Sequence, residues 1–126
     1  MKDAQIFLGH ILESIEAIEG HIAGVSEKDF FFDLKTQDAV IRRFEIIGEA
    51  TKHIPKFVLD EFPDTEWQDI MSMRDRLIHE YFAVMMDLVW DAAKKDLPKL
   101  KKEIIGMLKK LTVNGVDSQS EDKVYR

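Results

Sequence analysis

Apolar residues recur along this chain every three to four positions, and nowhere do they alternate as a half-buried strand requires. That spacing restricts the fold to packed helices. A first helix is predicted from about Asp3 to Ala23, with Phe7, Leu8, Ile11, Ile15, Ile18 and Ile22 on one face. Gly24 and Ser26 break the pattern, and the run Phe30–Phe32 reads as a hydrophobic plug in the connection. Thr36 reads as the N-cap of a second helix to about Ile54, burying Val40, Phe44, Ile47 and Ile54. Gly48 lies on the shoulder of that face, where another helix can come close.

Pro55 is expected to start a short helical turn through Asp60, and Pro63 then forces a break. Asp64 or Thr65 can cap a third helix. The fourth is expected from about Asp87 to Leu111. Its apolar positions Val89, Ala93, Leu97, Leu100, Ile104, Leu108 and Leu111 keep phase across Pro98. One helix kinked at the proline, with the bond to the Lys94 carbonyl lost, fits better than two helices. The expected fold is therefore all-α: an antiparallel four-helix bundle with a short extra helix and a kinked last helix, over residues 1–111. Residues 112–126 have no periodicity and read as a mobile tail.

A chain of 126 residues suits one domain with a single core. It has no cysteine, which excludes disulfides, thiolate metal sites and cysteine nucleophiles. No apolar run approaches the roughly 18 residues that a membrane span needs, and MKDAQIF lacks a signal-peptide pattern, so a cytoplasmic protein is expected. The net charge of −6 argues against a general nucleic-acid coat. The charge is divided unevenly: residues 1–33 carry seven acids against Lys2 and Lys28, whereas residues 94–110 carry seven lysines against Asp96 and Glu103. Two oppositely charged helices that favour neighbouring positions, or that simply remain solvated, explain this better than a dedicated RNA surface.

The third helix contains MRDRLIHEYF. At about 100° per residue, Trp67, Ile70, Met71, Leu77, Ile78 and Tyr81 share one apolar sector, and Arg74 falls near its centre. Arg76 and Glu80 lie opposite, with Asp69. A charge on an apolar stripe needs a partner. Arg74 can pair with Glu45 or Glu49 in the core, line an interface with a second copy, or line a polar pocket. His79 lies about 140° around the helix from Arg74 and roughly 7.5 Å along it, so one straight helix cannot aim both at one small target. Two copies meeting on a twofold axis would surround one cleft with both pairs. Asp75, four residues before His79, can accept a hydrogen bond from the imidazole and set its tautomer.

The stretch RDRLIHEYF resembles the motif of the HEPN domains, specifically the HepT toxins of two-gene toxin–antitoxin modules. The matching positions are Arg74, Asp75, His79 and Tyr81; where the family commonly has Asn after the arginine and Gly before the tyrosine, this chain has Asp75 and Glu80. FEIIGEATKHIP, FPDTEWQDIMSM and VWDAAKKDLPKL resemble the family's flanking helices in the same order, so the likeness spans roughly residues 4–111. It implies a homodimeric, metal-independent RNA endonuclease, the toxin of a type VII module. Arg74 and His79 would be catalytic, Asp75 supporting, with neither metal nor cofactor. It also implies that a partner, a minimal nucleotidyltransferase antitoxin, neutralises the toxin by attaching AMP to Tyr81, in a dimer that can assemble further with the antitoxin. From the residues alone, Tyr81 is equally an ordinary core tyrosine.

The chemistry suits those residues. A base must take the ribose 2′-OH proton and an acid must protonate the leaving oxygen, and imidazole serves either role near neutral pH. A guanidinium offers a rigid fork to the phosphate. No metal-ligand cluster competes: His10 and His21 sit three turns apart on helix shoulders, and His53 is expected to meet the carbonyls ending the second helix. The alternative reading is a non-catalytic helical module that holds or presents substrate to a nucleotidyltransferase.

Overall fold

The computed structural model describes residues 2–79 and 86–114. All the regular structure among them is helical: α1 (Lys2–Ile22), α2 (Glu27–Phe31), α3 (Leu34–Lys52), α4 (Lys56–Leu59), α5 (Trp67–His79), α6 (Met86–Asp91) and α7 (Leu97–Asn114), with a π-helical turn (Ala92–Asp96) joining the last two. No helix among these residues is long and apolar enough to cross a membrane. The all-α bundle expected from periodicity is the fold observed.

α1 runs through the centre, with Leu8, Ile11, Ile15 and Ile18 almost completely buried. Phe7 stacks on His53 and Ser14 Oγ accepts from Arg43, so α1 and α3 run antiparallel. The Glu19–Lys101 ion pair at 2.9 Å brings the end of α1 to the start of α7. The acidic and lysine-rich helices are therefore neighbours, and Glu19 holds the Lys101 ammonium above the usual lysine range.

Several local expectations are corrected by hydrogen bonds that spacing does not reveal. α3 starts at Leu34, and its cap is Asp33 rather than Thr36. Asp33 Oδ1 accepts the Thr36 N–H at 3.1 Å while Oδ2 accepts the Thr36 hydroxyl at 2.6 Å; these bonds hold the carboxyl below its ordinary range. α3 also ends two residues early, at Lys52. Of the phenylalanine run, Phe30 alone is a plug, fully buried against Trp90 at 5.2 Å between ring centroids. Phe31 and Phe32 are exposed because α2 turns them outward. Thr65 does not cap α5 with its hydroxyl, which donates instead to Glu103 Oε1 at 3.1 Å.

The helical path from Met86 to Asn114 continues across Pro98, as phase predicts, but the turn before the proline is widened. The Leu97 N–H reaches the Ala92 carbonyl, five residues back, where Pro98 has no N–H to give Lys94. α7 runs three residues past the expected end of the domain at 111; the rest of the expected tail, 115–126, lies outside the described residues.

The contact that places α5 is at Gly48. A Cβ on Gly48 would overlap Arg74 Cβ and lie 2.7 Å from Arg74 Cγ, with the Ile70 carbonyl at 3.3 Å. Gly48→Ala is expected to lower stability by about 1–3 kcal/mol, because the obstructing atom is close to the α5 backbone and cannot swing away. Gly106→Ala, which meets nothing within 4 Å, is the control and should be neutral or slightly stabilising. Urea denaturation of the two variants checks this; equal effects would contradict the close approach.

Candidate active site on helix α5

Arg74 sits on the inner flank of α5 with its side chain 22% exposed, pressed against the bare backbone at Gly48. Its Nη2 meets Glu49 Oε1 at 2.8 Å and its Nη1 meets Asp75 Oδ1 at 2.9 Å. Nε is buried and, among the described residues, has no hydrogen-bond acceptor. Of the three explanations open for this arginine, pairing with Glu49 is realised, and Arg74 also lines a groove. The ion pair lies within one chain, so a second copy is not needed to account for a charge on this face.

Asp75 departs from expectation. Its Oδ1 accepts from Lys52 Nζ at 2.7 Å as well as from Arg74, and among the described residues no hydrogen bond joins it to His79. The two cations, Lys52 foremost, hold the Asp75 carboxyl below the usual carboxylate range. Asp75 in turn raises the Arg74 guanidinium, with Glu49 adding a coulombic share against the cost of desolvation. Lys52 and Arg74 thus alternate with Asp75 and Glu49 in a charge-balanced row across α3 and α5. Asp75 positions the arginine in this structure.

His79 is the last described residue of α5 and is exposed, with no hydrogen-bond partner among the described residues. Arg76 is exposed and apart from the row, as the helix phase predicts. Tyr81 lies outside the described residues.

Sequence reasoning gave His10 and His53 no role, yet both border the site. His53 Nε2 lies 3.1 Å from Glu49 Oε2, and the His53 ring stacks on Phe7 with centroids 5.2 Å apart and 18° between planes. His10 packs edge-on against Phe7 at 6.0 Å. The expected contact of His53 with helix-end carbonyls is replaced by this bond and stack. A groove of about 320 Å³ runs beside these rings to Arg74 and Ile78. The available signal was spacing: His10 follows Phe7 by three residues and His53 follows Glu49 by four, each pair on one helix face. A hollow of similar size on the other flank of α5, lined by Phe44, Ile70, Met73 and Leu100, includes neither Arg74 nor His79. Among the described residues, no three His, Asp or Glu side chains are grouped to hold a metal ion.

The arrangement offers a guanidinium held from behind by two carboxylates and an imidazole open to solvent on the same helix. Such a pair can bind a phosphate and move a proton. Comparison with known proteins points the same way. A family model described as Ribonuclease HepT-like matches residues 11–107. The chain is 48% identical over 113 residues to a Methanocaldococcus jannaschii protein named "gamma-glutamylcyclotransferase and putative RNase", covering 90% of this chain and 51% of that one. This chain therefore spans about half the length of that relative. It is 38% identical over 110 residues to a "putative RNase" of Caldanaerobacter subterraneus subsp. tengcongensis, covering 87% of this chain and 98% of the relative. A "probable ribonuclease HepT" of Thermococcus cleftensis is 45% identical over 95 residues, 75% of this chain and 86% of that protein. No solved structure matches. On the family match and these relatives, the chain belongs to the HepT-like ribonuclease family.

Proposed function

We propose that this chain is an RNA endonuclease that works as a homodimer without a metal ion, Arg74 and His79 carrying the reaction. The observation that carries this reading is Arg74: an arginine held in a fixed orientation by Glu49 and Asp75, on the same helix as the exposed imidazole of His79. A guanidinium has five N–H donors and the two carboxylates engage one each, so donors remain for a phosphate. In the reaction, a base takes the proton of a ribose 2′-OH and the oxygen attacks the adjacent phosphorus. The bond from phosphorus to the 5′ oxygen breaks, and an acid protonates the departing oxygen. His79 fills one of these roles and the His79 of a second copy the other, while Arg74 offsets the charge that grows on the phosphoryl oxygens.

The same reading makes the chain the toxin of a type VII toxin–antitoxin module. A partner nucleotidyltransferase neutralises it by attaching AMP to Tyr81, two residues from His79, where the adenylate adds bulk and negative charge on the path of RNA. A second reading, a non-catalytic module that holds or presents substrate to that nucleotidyltransferase, draws support from one observation: Glu49 and Asp75 already balance the charge of Arg74.

Cleavage of a generic single-stranded RNA separates the two. His79→Ala should lower the rate by about 10²–10⁴-fold, with folding intact because the side chain is exposed. Arg74→Ala should be comparably damaging, and Arg76→Ala nearly silent. Activity should persist in excess EDTA. An inactive wild type favours the binding module, and loss in EDTA restored by one divalent ion overturns the metal-free mechanism.

Two further outcomes concern partners. In sedimentation the protein should run as a dimer at micromolar concentration, and a monomer that cleaves at full rate would contradict the two-histidine arrangement. Tyr81→Phe should cleave like wild type yet stay active after incubation with the nucleotidyltransferase and ATP; neutralisation of both proteins alike would remove Tyr81 as the target.

A further inference from the structure

The groove beside Arg74 contains groups that the cleavage reaction does not use. Phe7 of α1, half-buried against the core, and His53, the residue after α3, form a stacked pair, and the His53 side chain is 55% exposed. Glu45 also lines the groove; its side chain is only 21% exposed and engages Arg42 through Oε1, at 3.6 Å. Ile46 and Ala50 add apolar lining. Arg74 Nη2 and His53 Nε2 each contact one oxygen of the same Glu49 carboxylate, so the guanidinium and the ring platform are one carboxylate apart. That separation is within the reach of a single nucleotide.

We propose that this groove is a base subsite that prefers guanine: the nucleoside next to the phosphate on Arg74 stacks its base on the Phe7–His53 pair and presents its Watson–Crick edge to Glu45. Unpaired bases are commonly bound in this way, with an aromatic face for stacking and a polar group for the edge. A carboxylate has two acceptor oxygens and no donor. Guanine alone sets two donors side by side, N1–H and the N2 amino group, to match them. Adenine and cytosine set a ring-nitrogen acceptor beside their amino group, and uracil flanks its single N–H with two carbonyls, so each puts a lone pair against Glu45. The volume of about 320 Å³ leaves room for one base. The subsite rests on the cleavage reading, since it needs a phosphate on Arg74.

The test uses the full chain and uridine-rich single strands carrying one guanine, or one adenine or cytosine in its place, with cuts mapped at nucleotide resolution. Wild type should cut beside guanine at least about 10-fold faster than beside the other bases. Glu45→Gln, which swaps one acceptor for a donor, should keep cleavage and lose the guanine preference. His53→Ala should lower kcat/KM on the guanine strand by about 10-fold through loss of stacking, and His53→Phe should recover most of it by restoring a ring. Wild-type cleavage without base preference, or a preference unchanged in Glu45→Gln, overturns the subsite and leaves the nuclease standing. No cleavage of any strand by wild type overturns both.

Discussion

The close approach of α3 and α5 at Gly48 is the contact from which the site follows. With no Cβ on Gly48, the α5 backbone comes near enough for the Arg74 stem to lie directly on α3. Its guanidinium then emerges beside Glu49, one residue further along α3, and beside Asp75 on its own helix. Lys52, one turn on from Gly48, closes the row by taking Asp75. A side chain on Gly48 would push the helices apart and separate four charges that now satisfy one another. The arginine is thereby held in one orientation with little side-chain freedom left to lose when it meets an anion.

Helical periodicity made much of this legible. Repeats of three and four residues located the long helices, and the inward faces of α1 and α7 are buried almost as their phase required. Gly48 stood out because it flanks an apolar stripe, and a helix does pack on it. The opposed charges of α1 and the lysine-rich segment met as Glu19 and Lys101. Family resemblance marked Arg74 and His79, which periodicity alone could rank no higher than an odd arginine and a surface histidine.

What spacing could not reveal was which of several partners within reach a polar side chain would choose. Asp75 had His79 four residues away on its own helix, yet a lysine and an arginine offer it charge-assisted bonds, and these are the bonds it makes. Thr36 was expected to cap α3, but the cap is Asp33, whose two carboxylate oxygens accept the N–H and the hydroxyl of Thr36. His53 was placed at a helix end correctly, but its ring found Phe7 on a helix distant in sequence. The first and last of these outcomes depend on tertiary neighbours. Because Glu49 already pairs with Arg74, a second copy is not required to satisfy the arginine; in the proposed reaction its part is to supply a second proton-transfer group.

The central claim is that RNA is cut by its own 2′-hydroxyl, with Arg74 on the phosphate and histidine moving protons. The chemical nature of the new ends tests it most directly. Mass spectrometry of the fragments from a defined RNA should find a 2′,3′-cyclic phosphate on one side and a 5′-hydroxyl on the other, with no cut where the ribose at the site is 2′-deoxy. Fragments with a 5′-phosphate and a 3′-hydroxyl, or equal cutting of the 2′-deoxy strand, would mean that water attacks instead and that this assignment of the site is wrong.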